Sequence, residues 1–157
     1  EETFGWLGQS LYLREIEGRE QGAPPPVDLE GHRAAGELVR GLIESGLVAT
    51  CHDVADGGLL VAVAEMAMAG DIGAAIEIPS GQPAHAWLFG EGQGRWLVAA
   101  PAEQATEVEA RALSTGVAVQ RIGRVGGGRL TIGAEHAISL TELRSAHRRW
   151  LPNFMAG

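Results

Sequence analysis

The chain has 157 residues, of which 45% are hydrophobic, and a formal net charge of −8 at pH 7. This length and apolar content suffice for one domain with a hydrophobic core. The negative charge argues against nucleic acid or an anionic membrane as the principal partner, because both attract basic surfaces, and no apolar stretch reaches the roughly 20 residues of a membrane span.

Residues 1–27 are predicted to form an N-terminal extension and a proline-rich connector. The sequence starts abruptly and without a methionine, which we interpret as the start of a fragment of a longer chain. A short helix is predicted over 11–17. Three consecutive prolines at 24–26 then favour extended backbone, because proline lacks an N–H donor and disfavours helix in the residue before it.

A helix, a strand and a second helix are predicted for the next part of the chain. Asp28 is a suitable N-cap for a helix over 28–45, and Gly46 fits the left-handed position after its last turn. The short, partly β-branched run 47–51 predicts a buried strand. Residues 59–69 form a longer run that is rich in helix formers, which predicts the second helix.

The remaining sequence alternates short apolar runs with glycine-rich turns. It predicts strands over 73–78, 87–89, 96–100, 117–125 and 129–132, and helices over 102–114 and 141–150. This order is neither a regular strand–helix alternation nor all strand. It therefore predicts an α+β fold, a mixed β-sheet flanked by helices on both sides, in a single domain that covers residues 28–157.

An imidazole, two carboxylates and a glycine pair lie between the first predicted strand and the second helix. We select His52, Asp53, Asp56, Gly57 and Gly58 as candidate ligand-binding residues, because charged groups and flexible backbone at a helix N-terminus suit an anionic ligand. A carboxylate repels phosphate, so the aspartates would orient a hydroxyl, an amine or Mg²⁺. An N-cap aspartate followed by glycines that permit close helix–sheet packing is an equally compatible interpretation.

A second candidate is the loop at residues 89–95, which has glycine at every other position from 90 to 94. Glycines permit a close approach of a ligand to the backbone, and Glu91, Gln93 and Arg95 offer polar recognition. A plain connecting loop between strands also explains the glycines, and the spacing alone favours it. We keep Glu91 and Gln93 as candidate ligand-binding residues beside that alternative.

The sequence does not support covalent catalysis or a metal centre of its own. It has no G-x-S-x-G motif, and its histidines lack the spacing of zinc ligands. All twelve basic residues are arginines, so a lysine contact to ATP phosphate must come from outside this sequence. The single cysteine, Cys51, cannot form an internal disulfide, which indicates a reducing cytoplasm. We assign no catalytic residue and no metal ligand to this chain.

Three ordered motifs carry a resemblance to a known family. They are LGQSLYLRE at 7–15, APPPVDL at 23–29, and HDVADGGL at 52–59 followed by AEMA at 64–67. Together they resemble phosphoribosylformylglycinamidine synthase, the formylglycinamide ribonucleotide amidotransferase of purine biosynthesis. The resemblance covers most of the chain and is closest to the C-terminal domain in the second half of the synthetase subunit.

The resemblance implies a fold similar to the C-terminal domain of aminoimidazole ribonucleotide synthase, and an ATP-dependent C–N ligation. In the family, ATP and Mg²⁺ serve to phosphorylate the substrate amide oxygen, and glutamine-derived ammonia displaces the phosphate. The histidine, lysine and carboxylates of that chemistry lie mainly on the N-terminal domains, so we expect this fragment to be inactive alone and to bind no cofactor tightly. Residues 91–93 resemble a substrate-binding Glu-Ser-Gln stretch, with Gly92 in place of the serine.

The resemblance also implies partners. They are the N-terminal domains of the same chain, a glutaminase subunit and a small accessory subunit. Two other functions stay open. One is the corresponding domain of another superfamily enzyme, such as aminoimidazole ribonucleotide synthase or selenophosphate synthase. The other is a structural module that docks the rest of the ligase without contacting a ligand.

Overall fold

The computed structural model describes residues 5–156 of the chain. A single π-helical turn, Tyr12–Ile16, precedes the other elements. The helices are α1 (Leu29–Glu44), α2 (Gly58–Gly70), α3 (Ala84–Phe89), α4 (Ala105–Ser114, after a 3-10 turn at Ala102–Gln104) and α5 (Leu140–Met155). The strands are β1 (Thr50–Asp53), β2 (Ala74–Ile76), β3 (Trp96–Ala99), β4 (Gly123–Val125), β5 (Arg129–Ile132) and β6 (His136–Ser139).

The described residues divide into two compact units. The first comprises the chain up to residue 62 and residues 80–121, and the second comprises residues 63–79 and the chain from residue 122 onward. Each unit combines helices with strands, so the predicted α+β class is confirmed. The predicted domain boundary between residues 27 and 28 stays a prediction. The abrupt start at residues 1–4 lies outside the described residues.

The first unit has a small hydrophobic core between α1, α4 and β3. Leu42, Val48 and Val108 are buried in this core, and Leu38 and Val98 pack against them. Burial of such side chains contributes about 1.5–3 kcal/mol each to stability. α1 therefore contributes Leu42 and Leu38 to this core.

The ends of α1 agree with the sequence prediction. The Asp28 carboxylate accepts a hydrogen bond from the Gly31 N–H at 3.0 Å, as an N-cap does. After the last turn, Gly46 adopts a φ of +74°, a conformation that glycine reaches without a steric penalty. The cap and the terminating glycine are both confirmed.

The second unit contains a four-stranded sheet in the order β4-β2-β5-β6. β2 is parallel to β5, and the other neighbouring strands are antiparallel, so the sheet is mixed. Ala74, Ile76 and Leu130 are its buried side chains. In α5, Arg144 donates to the Met68 carbonyl oxygen at 2.8 Å and forms an ion pair with Asp71 at 2.7 Å.

The prediction of a strand at residues 87–89 is wrong. These residues complete α3, which begins after Pro83 and buries Trp87 and Leu88. Three consecutive apolar residues fit a buried helical turn as well as a strand, so their pattern could not separate the two. This helix positions the glycine-rich loop at residues 89–95, because it ends at Phe89, where that loop begins.

The first strand begins later than the predicted 47–51. The N–H groups of Leu47 and Val48 both donate to the Leu42 carbonyl oxygen, at 3.0 and 3.3 Å, which holds these two residues against the end of α1. The ladder therefore starts at Thr50 and includes His52 and Asp53.

The C-terminal elements also differ from the prediction. The strand predicted over 117–125 is limited to β4, and β6 was not predicted. The last helix extends to Met155 although Pro152 lies within it, because a proline near a helix end removes few backbone hydrogen bonds. Among residues 5–156, no helix has both the length and the apolar character needed to cross a membrane.

Candidate functional site

The two glycine-rich loops selected from the sequence, at residues 52–59 and at residues 89–95, lie next to each other in the first unit. β1 and β3 are antiparallel, with His52 opposite Leu97 and Asp53 opposite Trp96. The Val54 N–H continues this ladder by donating to the Arg95 carbonyl oxygen at 2.9 Å. The pairing therefore brings the start of the 52–59 run beside the 89–95 loop.

Glu91 connects these loops to the N-terminal segment. Its Oε1 atom accepts hydrogen bonds from the backbone N–H of Leu11 and from the backbone N–H of Gly57, each at 2.8 Å. The N–H of Glu91 itself donates to the Trp6 carbonyl oxygen at 2.9 Å. Glu91 thus joins its own loop to two segments that are distant in the sequence, the N-terminal segment and the turn at Gly57.

Two glycines allow these segments to approach closely. Gly58 has a φ of +75°, and a Cβ on it would lie 2.6 Å from the carbonyl carbon of Phe89. A Cβ on Gly90 would lie 2.6 Å from the Cα of Gly5. Such distances are too short for a side-chain carbon, so the packing between these segments requires glycine at both positions.

Gly57 has a different constraint. Gly57 is buried and has a φ of +79°. A Cβ on it would lie 2.5 Å from the Cγ2 atom of Val61 in α2. The left-handed backbone at Gly57 and Gly58 turns the chain from β1 into α2. The glycine pair therefore has a structural reason that does not depend on a ligand.

His52 is half-buried on β1, and its Nδ1 lies 2.6 Å from the Asp53 carbonyl oxygen. This bond requires the proton on Nδ1. The same nitrogen lies 3.6 Å from Asp53 Oδ1, whose side chain is 63% exposed. The imidazole and the Asp53 carboxylate therefore lie together at the end of the strand.

Asp56 is exposed in the turn before α2. The pKa of the Arg14 guanidinium is raised, mainly by the hydrogen bond and the charge of Glu15. The charges of Glu20 and Asp56 make smaller contributions in the same direction. Gln93 is exposed in the second loop. These side chains are available to solvent or to a partner on the first unit.

Arg95 and Ser10 support the site from within the first unit, and of the two only Ser10 was not selected from the sequence. Burial lowers the pKa of the Arg95 guanidinium, and its Nη1 donates to the Gly90 carbonyl oxygen at 3.0 Å. Ser10 is 1% exposed, and its Oγ accepts from the Leu13 N–H at 3.3 Å. A serine at the start of the short predicted helix is a typical N-cap signal and could have identified it.

The His, Cys, Asp and Glu side chains of residues 5–156 do not form a metal-binding site. No group of three or more His, Cys, Asp or Glu residues in this part of the chain is arranged to hold one. Mg²⁺ prefers several oxygen ligands in octahedral geometry, and the carboxylates near the loops do not offer that set. The described residues therefore do not fit a resident metal.

Comparison with known proteins identifies the family. A model of the family described as AIR synthase related protein, C-terminal domain, matches residues 4–134. The chain belongs to this family. The matched region contains both glycine-rich loops, and it ends before α5 begins at Leu140. The site thus lies in the part shared by the AIR synthase related family.

The chain is also similar to longer proteins over almost its whole length. It is 53% identical over 157 residues to phosphoribosylformylglycinamidine synthase subunit PurL of Rhodopseudomonas palustris, covering 99% of this chain and 21% of that protein. The same subunit of Methylocella silvestris is 52% identical over 155 residues, with 99% and 21% covered. The chain therefore spans about a fifth of the length of these curated relatives.

Solved structures show the same fold at low sequence identity. Thermotoga maritima PurL complexed with FGAR is 18% identical, with a TM-score of 0.70 over 82% of this chain and 23% of that chain. Phosphoribosylformylglycinamidine synthase II of the same organism has a TM-score of 0.69 at 18% identity, over 89% of this chain and 24% of that chain. Both likenesses concern the fold of the AIR synthase related domain.

Proposed function

We propose that the chain is the C-terminal AIR synthase related domain of a phosphoribosylformylglycinamidine synthase. The reaction is the ATP-dependent amidation of formylglycinamide ribonucleotide to formylglycinamidine ribonucleotide with glutamine-derived ammonia. The observation that carries this proposal is the 53% identity to a PurL subunit over 99% of the chain. The three motifs quoted from the sequence agree with it.

Two groups of the family's ATP chemistry are not supplied by the described part of this chain. A lysine contact to the ATP phosphates must come from elsewhere, because this sequence has no lysine. Among residues 5–156 there is no carboxylate cluster suited to Mg²⁺. We therefore propose that the N-terminal domains of the longer chain bind ATP and Mg²⁺, and that this domain alone is inactive.

The partners follow from the same proposal. They are the N-terminal domains of the same chain, a glutaminase subunit that supplies ammonia, and a small accessory subunit, all in the cytoplasm. A solved structure described as PurLQS from Thermotoga maritima supports an assembly of this kind for the relative.

The candidate residues take different roles under this proposal. Asp53, Asp56 and Gln93 have exposed side chains that a ligand or a neighbouring domain can contact, and His52 lies beside Asp53. Gly57 and Gly58 shape the turn, and Glu91 Oε1 already accepts two backbone hydrogen bonds. Polar recognition at the site would therefore come from the strand end and the exposed turn, at His52, Asp53, Asp56 and Gln93.

A chimera tests the proposed function. The corresponding segment of the Rhodopseudomonas palustris PurL subunit is replaced by this chain, and the chimera is produced in a bacterium that lacks its own PurL. We expect growth without added purines, and formation of the amidine from the ribonucleotide, ATP and glutamine in extracts. The same PurL with the segment deleted is the control, and this chain alone should give no amidine. A soluble chimera that binds its partner subunits but forms no amidine would contradict the proposal.

A docking role without ligand contact is the second candidate, and the internal use of the Glu91 carboxylate favours it. The variants Asp53→Ala and Asp56→Ala in the chimera separate the two roles. Ligand contact predicts a large loss of turnover while the subunits still assemble. Docking alone predicts unchanged turnover in these variants, with assembly lost only when contact surfaces are changed.

A further inference from the structure

Two backbone donors from distant segments meet on one carboxylate oxygen. Leu11 N–H comes from the start of the π-helical turn, and Gly57 N–H comes from the residue before α2. Both are 2.8 Å from Glu91 Oε1. Donors at such positions have no partner within their own helix, so each needs an acceptor from elsewhere in the chain.

The acceptor is held in place by backbone packing. Gly58 lies against Phe89 and Gly90, and Gly90 lies against Gly5, at distances that exclude a Cβ. The N–H of Glu91 is fixed by the Trp6 carbonyl oxygen at 2.9 Å. The main chain at Glu91 is therefore held by the packing of Gly90 before it and by its own hydrogen bond to Trp6. This places the carboxylate at the two donors.

We infer that Glu91 is an internal anchor whose carboxylate occupies the place that a bound anion would take at these two N–H groups. It positions the turn from Val54 to Gly58 against residue 11, and Oε1 does not serve as a ligand contact. This inference goes beyond the proposed function, because it concerns how this chain holds its own loops. It stands whether or not the longer protein is the proposed ligase.

The chemistry of the side chain decides which substitutions preserve the anchor. A carboxylate makes charge-assisted hydrogen bonds that are stronger than neutral ones. The amide oxygen of glutamine has the same reach and two lone pairs, so it can accept both bonds. Aspartate keeps the charge but is one methylene shorter, and alanine removes the acceptor. We therefore expect the Leu11 and Gly57 N–H groups to be best protected from hydrogen exchange with Glu at position 91, less with Gln, and least with Asp or Ala.

Hydrogen–deuterium exchange read by mass spectrometry tests the anchor in the full-length chimera, whether or not that chimera turns over substrate. In Glu91→Ala, peptides that contain residues 8–13 and 54–60 should exchange at least about tenfold faster, the effect of losing a hydrogen bond to a charged group. Peptides from residues 129–139 should not change. Gln93→Ala, two residues away with an exposed side chain, is the matched control and should leave both segments protected.

Three further arms make the result specific. Glu91→Gln should keep most of the protection, and Glu91→Asp should lose it in at least one segment. Formate added to Glu91→Ala should restore protection in both segments, because its carboxylate can fill the vacated place. Unchanged exchange in Glu91→Ala would overturn the inference, and so would exchange in Glu91→Gln as fast as in Glu91→Ala. If Glu91→Ala does not accumulate, the comparison of the Gln and Asp variants decides in the same way.

Discussion

Gly58 and Gly46 have nearly the same backbone conformation in different surroundings. Their φ angles are +75° and +74°. A Cβ on Gly58 would lie 2.6 Å from the carbonyl carbon of Phe89, whereas a Cβ on Gly46 would meet nothing within 4 Å. The pair therefore separates the cost of the left-handed conformation from the cost of a steric clash.

We expect Gly58→Ala to lower the free energy of unfolding by about 3 kcal/mol or more, the sum of left-handed strain and overpacking against fixed backbone. Gly46→Ala should cost only about 1–2 kcal/mol, from the strain alone. Denaturant unfolding of both variants and of the parent chain measures the difference. Equal losses of unfolding free energy in the two variants would show that the close packing at residue 58 does not contribute to stability.

At the scale of single residues, the structure shows what surrounds the positions selected from the sequence, and their role in binding a ligand stays a prediction. Glycines at 57 and 58 were selected, with a ligand and close packing left as equal interpretations. The distances at Gly58 supply a structural reason for the glycine. Glu91 was selected as a ligand contact, and its Oε1 accepts two backbone bonds. A single sequence could not distinguish these roles, because it does not show which atoms surround a missing Cβ or a carboxylate.

At the scale of elements, α5 begins with a reciprocal cap. Ser139 Oγ accepts from the Glu142 N–H at 3.1 Å, and the Glu142 carboxylate accepts from the Ser139 N–H at 3.1 Å. The side-chain and backbone hydrogen bonds from Ser139, with a smaller charge effect of Arg129, lower the pKa of Glu142 below its ordinary value of 4.5. The cap therefore favours the ionised carboxylate.

This cap should make helix stability depend on pH. Because the pKa of Glu142 is lower in the folded state, its contribution is fully present above the unfolded value of 4.5 and is lost as the pH falls through the folded value. We expect Glu142→Gln to be less stable than the parent at neutral pH, and the difference in unfolding free energy to shrink in acid.

Thermal unfolding followed by circular dichroism over this pH range measures the effect. Glu135→Gln, which changes an exposed carboxylate in the turn before β6, is the control. A difference between parent and Glu142→Gln that stays constant into acid would contradict the role of the ionised cap.

The predictability of an element depended on its length and its end signals. The helix at 28–45 has an apolar face, an N-cap aspartate and a terminating glycine, and the structure confirms it within one residue at each end. The run 87–89 has three residues and no end signal that separates a helical turn from a strand, and it was predicted wrongly. Short strands such as β6 depend on pairing with β5, which local sequence does not encode.

At the scale of the whole molecule, the last two turns of α5 expose an apolar stripe. Trp150 and Phe154 are stacked, with ring centroids 5.4 Å apart, and are 66% and 69% exposed. Leu151 and Met155 on the same side of the helix are 57% and 75% exposed. Contiguous exposed apolar side chains of this kind promote association in water.

We expect this chain on its own to self-associate through that stripe as its concentration rises. The double substitution Trp150→Gln with Phe154→Gln should shift it to the monomer in sedimentation experiments. Leu113→Gln is the matched control, because Leu113 is 82% exposed on α4, away from the stripe in the sequence. Equal association of the parent chain and the double variant would exclude the stripe as its cause.

The overall class and the family motifs were accessible from the sequence, because they rest on composition, element order and short runs of residues. The contact between the two loops was not accessible. It depends on β1 pairing with β3 and on one side chain that reaches two distant segments. Such long-range contacts require the fold itself.

The anchor at Glu91 also has a consequence for the order in which the chain folds. Its two hydrogen bonds join residues separated by 80 and 34 positions. Contacts between distant positions carry the entropic cost of closing the loop between them. During synthesis the Gly57 turn leaves the ribosome well before its acceptor has been made. The turn at residues 54–58 can therefore gain this hydrogen bond only after residue 91 has been made.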